Sequence, residues 1–166
     1  LVETIRGLPE GEKAVVVAQF TGLLAAVSRA LTAAGVPNVQ LLGSASARFA
    51  ALEAFQEDSL GGPRVLLLSF RHHASGINLH RASHVLLLHP FCSTAVGAAK
   101  AGAADFVPLE EALAYEAQAI GRVHRYPQER EVTVHRLYAE GTLEEELVGR
   151  LQAVAGGGGG AGGGGP

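Results

Sequence analysis

Short apolar runs, each closed by glycine, proline or charge, set the rhythm of this chain. Residues 12–20 centre on Ala14-Val15-Val16-Val17-Ala18 and read as a strand. Residues 64–69 and 84–88 are apolar on both faces and read as buried strands. Residues 39–42 give a short strand, and residues 132–138 alternate enough to give another. Between them the apolar spacing lengthens to that of a helix. One helix begins at Thr21 or Gly22, runs to about Ala34 and stops before Gly35 and Pro37. Residues 46–56 place Phe49, Leu52 and Phe55 on a shared helical face, and Gly61-Gly62-Pro63 then turns the chain. Residues 142–152 form a closing helix whose Thr142 and Glu145 have capping-box spacing.

Strands apolar on both faces and separated by helices predict an α/β fold. The sheet should be parallel, covered by helices on both sides, with right-handed crossovers. In such sheets a ligand sits beyond the carboxyl ends of the strands. The segments after Ser69 and after Leu88 are therefore where chemistry is expected. Residues 1–12 read as a lead-in and residues 13–152 as the domain. The Ala- and Gly-rich residues 95–105 read as a loose helix or a low-complexity insertion, with a mobile surface loop preferred. Residues 153–166 read as a glycine-rich disordered tail.

Composition narrows the function. Of 166 residues, 48% are hydrophobic and 5% aromatic, enough for one domain with a core of small aliphatics. A formal net charge of -3 supplies no general basic field, so any contact with DNA has to be local. The single cysteine, Cys92, excludes an internal disulfide and suggests an intracellular setting. No apolar run is long enough to span a bilayer, so no membrane partner is expected. The sequence lacks methionine, so Leu1 is not an initiator and the chain is expected to be cut from a longer protein. His72, His73, His84, His89 and Cys92 fit no compact zinc spacing, and no metal site is expected.

One octapeptide stands out: Gln118-Ala119-Ile120-Gly121-Arg122-Val123-His124-Arg125. Arginine stays charged in proteins, and its planar fork matches phosphate oxygens bidentately. Two arginines on one helical turn could meet a single polyphosphate.

With its neighbours, that octapeptide resembles a family. The chain from about Lys13 to Leu151 resembles the C-terminal RecA-like lobe of SNF2-type DNA-dependent ATPases, in helicase superfamily 2. The matching segments occur in order. Val16-Val17-Ala18-Gln19-Phe20-Thr21 resembles the family's first strand, and Leu42-Gly43-Ser44-Ala45-Ser46-Ala47-Arg48 the turn into its second helix. Val65-Leu66-Leu67-Leu68-Ser69 with Gly76-Ile77-Asn78-Leu79 resembles motif V, and Ala82-Ser83-His84-Val85 the next strand entry. Residues 118–125 resemble motif VI, and 132–137 with 141–145 the final strand and helix. The octapeptide, with Tyr115-Glu116 before it, is most similar to the RING-containing, ubiquitin-ligase-associated branch. Two departures stand out: His73 and Ala74 replace motif V glycines, and Tyr126-Pro127 replaces Ile-Gly after motif VI.

The resemblance implies a RecA-like three-layer lobe and a role for each motif residue. Arg125 would be the arginine finger and Arg122 its companion. Gln118, Gly121, Gly76 and Asn78 would face ATP, and Ser69, Gln19 and Ser44 the DNA. ATP and Mg²⁺ would be held mainly by an N-terminal RecA-like lobe, because no Gly-Lys-Ser/Thr phosphate loop and no Asp-Glu pair after a strand occur here. The expected partners are that lobe and double-stranded DNA, with nucleosomes or ubiquitin machinery also implied and a nuclear setting. This lobe alone would not hydrolyse ATP. The alternative is a degenerate, non-catalytic lobe that binds DNA or protein. A free-standing α/β nucleotide enzyme is disfavoured, since no Gly-x-Gly-x-x-Gly occurs either.

Overall fold

The computed structural model describes residues 1–57, 61–69, 76–91 and 107–157. The elements are α1 (Val2–Arg6), β1 (Lys13–Ala18), α2 (Thr21–Ala33), β2 (Asn38–Gln40), α3 (Ala45–Gln56), β3 (Val65–Ser69) and β4 (Ala82–Leu87). They continue with α4 (Leu109–Val123), β5 (Thr133–Arg136) and α5 (Leu143–Gly157). The expected strands and helices are present within a few residues of their predicted ends.

The five strands form one sheet in the order β2-β3-β1-β4-β5. Every pairing is parallel, as the two-sided apolar runs required. β1, β3 and β4 are buried almost throughout. Alternate residues feed opposite layers. Val15, Val17, Leu66, Leu68, Val85 and Leu87 pack with α3, α4 and α5 on one side. Val16, Leu67 and Leu86 pack with α1 and α2 on the other. This period-two division is what a sheet covered on both faces demands.

Several local findings refine the sequence reading. The lead-in, residues 1–12, contributes to the core: α1 buries Ile5 completely. Arg64 then fastens the following turn, donating to the carbonyls of Leu8 at 2.6 Å, Pro9 at 2.9 Å and Glu12 at 3.1 Å. In α3 the shared face of three residues does not hold. Phe55 is fully buried, but Phe49 is 61% exposed. Six residues advance a helix by about 240°, and Ala51 takes the inward position instead. Lys13 ends α3 by donating to the carbonyls of Phe55 at 2.7 Å and Glu57 at 2.6 Å, a favourable place for a cation. The capping box at α5 is shifted by one residue: Glu145 accepts from the Gly141 amide at 2.9 Å, and Thr142 from the Glu144 amide at 3.2 Å. Helix α5 runs on through residues 153–157, which the sequence reading gave to the tail. The region 95–105 and the rest of the tail lie outside the described residues, as do His72, His73, Ala74 and Cys92. No helix among the described residues is long and apolar enough to cross a membrane.

Candidate functional site

Helix α4 carries the octapeptide as far as Val123 and is amphipathic. Its first turn holds Glu110 and Glu111 and its last turn Arg122, which suits both ends of the helix dipole. Ala112, Glu116, Ala119, Arg122 and Val123 form its buried stripe, while Gln118 and Gly121 are exposed. Arg122 keeps only 8% of its surface accessible, and that burial lowers its pKa below the ordinary arginine value. Its Nη2 donates to Gln118 Oε1 at 3.5 Å, a weak contact. No carboxylate among the described residues pairs with it. A cation withdrawn from water without a counter-ion is a receptive partner for an arriving anion.

The helix ends at Val123, with His124 as its cap, so Arg125 lies beyond it. The two arginines therefore do not share one helical turn, as their spacing had suggested. Arg122 points inward and Arg125 is exposed. The physical reason follows two residues later: Pro127 cannot continue a helix, and it pushes the residue before it out of the helical region. Gly121 sits in the last turn of α4, with no atom within 4 Å of where a Cβ would project. Internal packing does not require a glycine there, and exposed helical glycine costs about 1 kcal/mol relative to alanine.

The end of motif V is fastened to this corner. Asn78 Nδ2 donates to the Tyr126 carbonyl at 3.3 Å, and the Leu79 amide to the Arg122 carbonyl at 2.8 Å. Asn78 Oδ1 accepts from the His80 amide at 3.2 Å, and its own carbonyl accepts from Gln56. Gly76 adopts φ +91°, a left-handed conformation that favours glycine, with open space around it. Gln128 locks the turn: Nε2 lies 2.6 Å from the Ala82 carbonyl, 2.9 Å from that of His80 and 3.3 Å from that of Val123. Gln128 is thus committed to structure rather than available to a ligand.

The residues implied for DNA form a second group. Gln19 follows β1 and Ser69 ends β3. The Ser69 hydroxyl is directed at the Gln19 carbonyl, at 3.5 Å, and is buried. The Gln19 amide donates to His89 Nε2 at 3.0 Å, just past β4. His89 Nδ1 lies 2.9 Å from the Pro90 carbonyl, so a neutral ring protonated at Nδ1 satisfies both contacts. Phe20 stacks on that ring and Phe91 meets it edge-on, each at 5.4 Å between centroids. Ser44 caps α3, accepting from the Ala47 amide at 3.2 Å, beside Gly43 at φ +95°.

These two groups occupy opposite ends of β4. Gln128 and Leu79 place the motif VI corner where β4 begins, whereas His89 lies beyond its end. Six residues of strand separate them by roughly 20 Å. The second group therefore lies at the carboxyl edge of the sheet, and the arginines do not. The reason is topological: α4 runs back antiparallel to β4 and delivers its last turn to the strand's amino end.

Sequence reasoning missed three features. Glu116 is 4% exposed and accepts from Arg136 Nε at 2.9 Å, tying α4 to β5. Its signal was a carboxylate at helical spacing from Ala112 and Ala119 on the buried stripe. His89 was considered only as a metal ligand, although it follows a buried strand directly. Near the start of β4, Glu12 Oε2 accepts from Ser83 Oγ at 2.9 Å and contacts His84, which in turn meets His135 at 3.2 Å. The Ser83 hydrogen bond, and then that of His84, hold the Glu12 carboxyl below its usual range. Burial, aided by the nearby His84, lowers the pKa of His135. No group of three or more His, Cys, Asp or Glu that could hold a metal is present among the described residues.

No protein-family model matches the chain. It is similar to a DNA (cytosine-5-)-methyltransferase, DMT5, of Cryptococcus neoformans: 37% identical over 145 residues, covering 87% of this chain and 6% of that protein. The DNA repair protein RAD5 of Gibberella zeae is 38% identical over 138 residues, covering 82% of this chain and 10% of that protein. The chain thus spans about a tenth or less of the length of these relatives, and their named activities are not carried over from the match. A crystal structure of the C-terminal part of the Fun30 ATPase domain superposes with a TM-score of 0.63 at 21% identity. It covers 83% of this chain and 38% of that one, and it shows the shared fold. The ordered motifs, the all-parallel sheet and this identity across most of the chain agree: it belongs to the Rad5/SNF2 helicase family, as a C-terminal RecA-like lobe.

Proposed function

We propose that this chain is the second motor lobe of an ATP-driven DNA translocase that acts in chromatin or DNA repair. The observation that carries this reading is the motif VI corner. Arg125 is exposed beyond α4, Arg122 is held at the helix end with no carboxylate partner among the described residues, and Gly121 leaves bare backbone beside them. Such a corner suits a ligand brought by another body. Arg125 would act as the arginine finger, placing its charge against the γ-phosphate oxygens as negative charge develops there. Arg122 and Gln118 would steady it, and Asn78 would hold the adjoining turn. The described residues offer cations to a nucleotide but no carboxylate cluster for Mg²⁺, so ATP and Mg²⁺ are assigned mainly to an N-terminal lobe. When bound, Mg²⁺ supplies charge neutralisation on the phosphates.

The carboxyl edge bearing Gln19, Ser44 and Ser69 is assigned to the phosphate backbone of double-stranded DNA. With the net charge at -3, such a contact would rely on backbone amides and hydroxyls more than on a basic field. A separation of roughly 20 Å between nucleotide and DNA groups lets one rigid lobe couple the two events. The setting is nuclear on this reading. The test is Arg125→Ala in the full-length protein. DNA-stimulated ATPase activity should fall at least 10³-fold, in line with arginine fingers elsewhere, while ATP binding is retained. Turnover at the wild-type rate sinks the assignment. It would favour a degenerate lobe that serves as an interaction module.

A further inference from the structure

We propose that Tyr126 is a stacking platform for the purine base of the nucleotide, making this lobe a reader of the base as well as of the phosphates. The inference rests on the reading of Arg125 given above. Tyr126 is 91% exposed, whereas the residues that hold it are fixed. Its carbonyl accepts from Asn78 Nδ2 at 3.3 Å. On one side the Arg125 amide donates to the Val123 carbonyl at 3.0 Å. On the other the Gln128 amide donates to the Arg125 carbonyl at 2.8 Å. The Gln128 side chain then anchors the turn to the start of β4. The backbone beneath the ring is therefore held from both sides while the ring itself touches little.

A bare aromatic on a rigid base has lost backbone entropy without gaining burial, which suits a surface waiting for a planar partner. Its flanking residues His124, Arg125 and Pro127 are exposed and mostly polar, unlike the contiguous apolar surface of a protein-docking patch. The arginine assigned to phosphate is the adjacent residue, with Cα atoms ~3.8 Å apart. One ligand that carries both a polyanion and a planar π face satisfies both side chains, and a purine nucleoside triphosphate is such a ligand. Arg122, Gln118 and Gly121 lie within the preceding two helical turns, where the phosphates would be.

The experiment uses the full-length protein with Tyr126→Ala and Tyr126→Trp. KM for ATP and kcat are measured with saturating DNA, together with the inhibition constant of inorganic tripolyphosphate, which lacks a base. Stacking on an exposed aromatic predicts that Tyr126→Ala raises KM on the order of tenfold, leaves kcat within about twofold and leaves tripolyphosphate inhibition unchanged. Tyr126→Trp should restore KM. A wild-type KM in Tyr126→Ala overturns the inference. So does a parallel rise in the tripolyphosphate constant, which would mean that the ring only props Arg125. A shift confined to the DNA concentration for half-stimulation also overturns it, in favour of a DNA contact. Loss of the Arg125 reading shows up separately, as an unimpaired Arg125→Ala enzyme.

Discussion

Gln128 offers the sharpest test of how the motif VI corner is held. Its amide nitrogen has two hydrogens and faces three carbonyls, at 2.6, 2.9 and 3.3 Å, so the two shorter contacts carry the stabilisation and the third shares a hydrogen. Its Oε1 accepts a further bond from the Arg130 amide at 3.0 Å. Three well-formed bonds at a net ~0.5–1.5 kcal/mol each, partly replaced by water after truncation, place the cost of Gln128→Ala at about 2–3 kcal/mol. For a domain of this size that is a drop in Tm of roughly 4–12 °C. Gln128→Glu should be worse than alanine at neutral pH. The carboxylate keeps the acceptor for Arg130 but turns its other oxygen, without a hydrogen, on the carbonyls of His80 and Ala82. Acidification that protonates the glutamate restores one donor, so the gap between the two variants should narrow as pH falls. Urea unfolding followed by circular dichroism measures this, provided the slope with denaturant is unchanged. A Gln128→Ala chain within about 0.5 kcal/mol of the wild type refutes the clamp, as would a glutamate variant more stable than alanine at pH 7.

Two further outcomes follow from burial and protonation. Phe55→Ala should cost about 3–5 kcal/mol and Phe49→Ser less than about 0.5 kcal/mol, because one ring is enclosed and the other is in water; unfolding midpoints of the two variants check this. His135 and Glu12 both have folded pKa values below their ordinary 6.5 and 4.5, so the unfolded chain binds more protons and stability rises with pH. The Tm should be at its highest above pH 6.5, fall as pH drops through that value, and fall again below 4.5. His135→Asn should remove the first step and leave the second, as thermal scans at pH 7.5, 5.5 and 4 would show.

How much of this was legible beforehand depended on whether a signal was local. The strand and helix order was legible because burial on both faces leaves a plain mark in apolar runs such as Val65 to Leu68. Phe49 was misplaced because three residues at i, i+3 and i+6 drift around a helix, and only the packing partner decides which position turns inward. The grouping of Ser69 with Gln19 came from the family resemblance, and parallel strands that gather their carboxyl ends are what bring the two together. That Ser69 spends its hydroxyl on the Gln19 carbonyl was not legible, since this depends on the separation of β1 and β3 ends. Glu116 and Arg136 are twenty residues apart in sequence, and nothing in either neighbourhood announces the other.

The arginines show where sequence spacing misleads most. Residues three apart imply one helical face only if the helix continues, and Pro127 stops it in time to separate Arg122 from Arg125. The separation fits the proposed chemistry better than a shared face would. A buried arginine fixed at a helix end cannot travel, whereas an exposed one just past it projects from the lobe. If the nucleotide is brought by a second body, only a projecting cation can meet it when the lobes close and lose it when they part. The same step that exposes Arg125 exposes Tyr126, so both side chains would enter and leave the nucleotide together. Binding of the base and stabilisation of the phosphates would then respond to a single lobe movement.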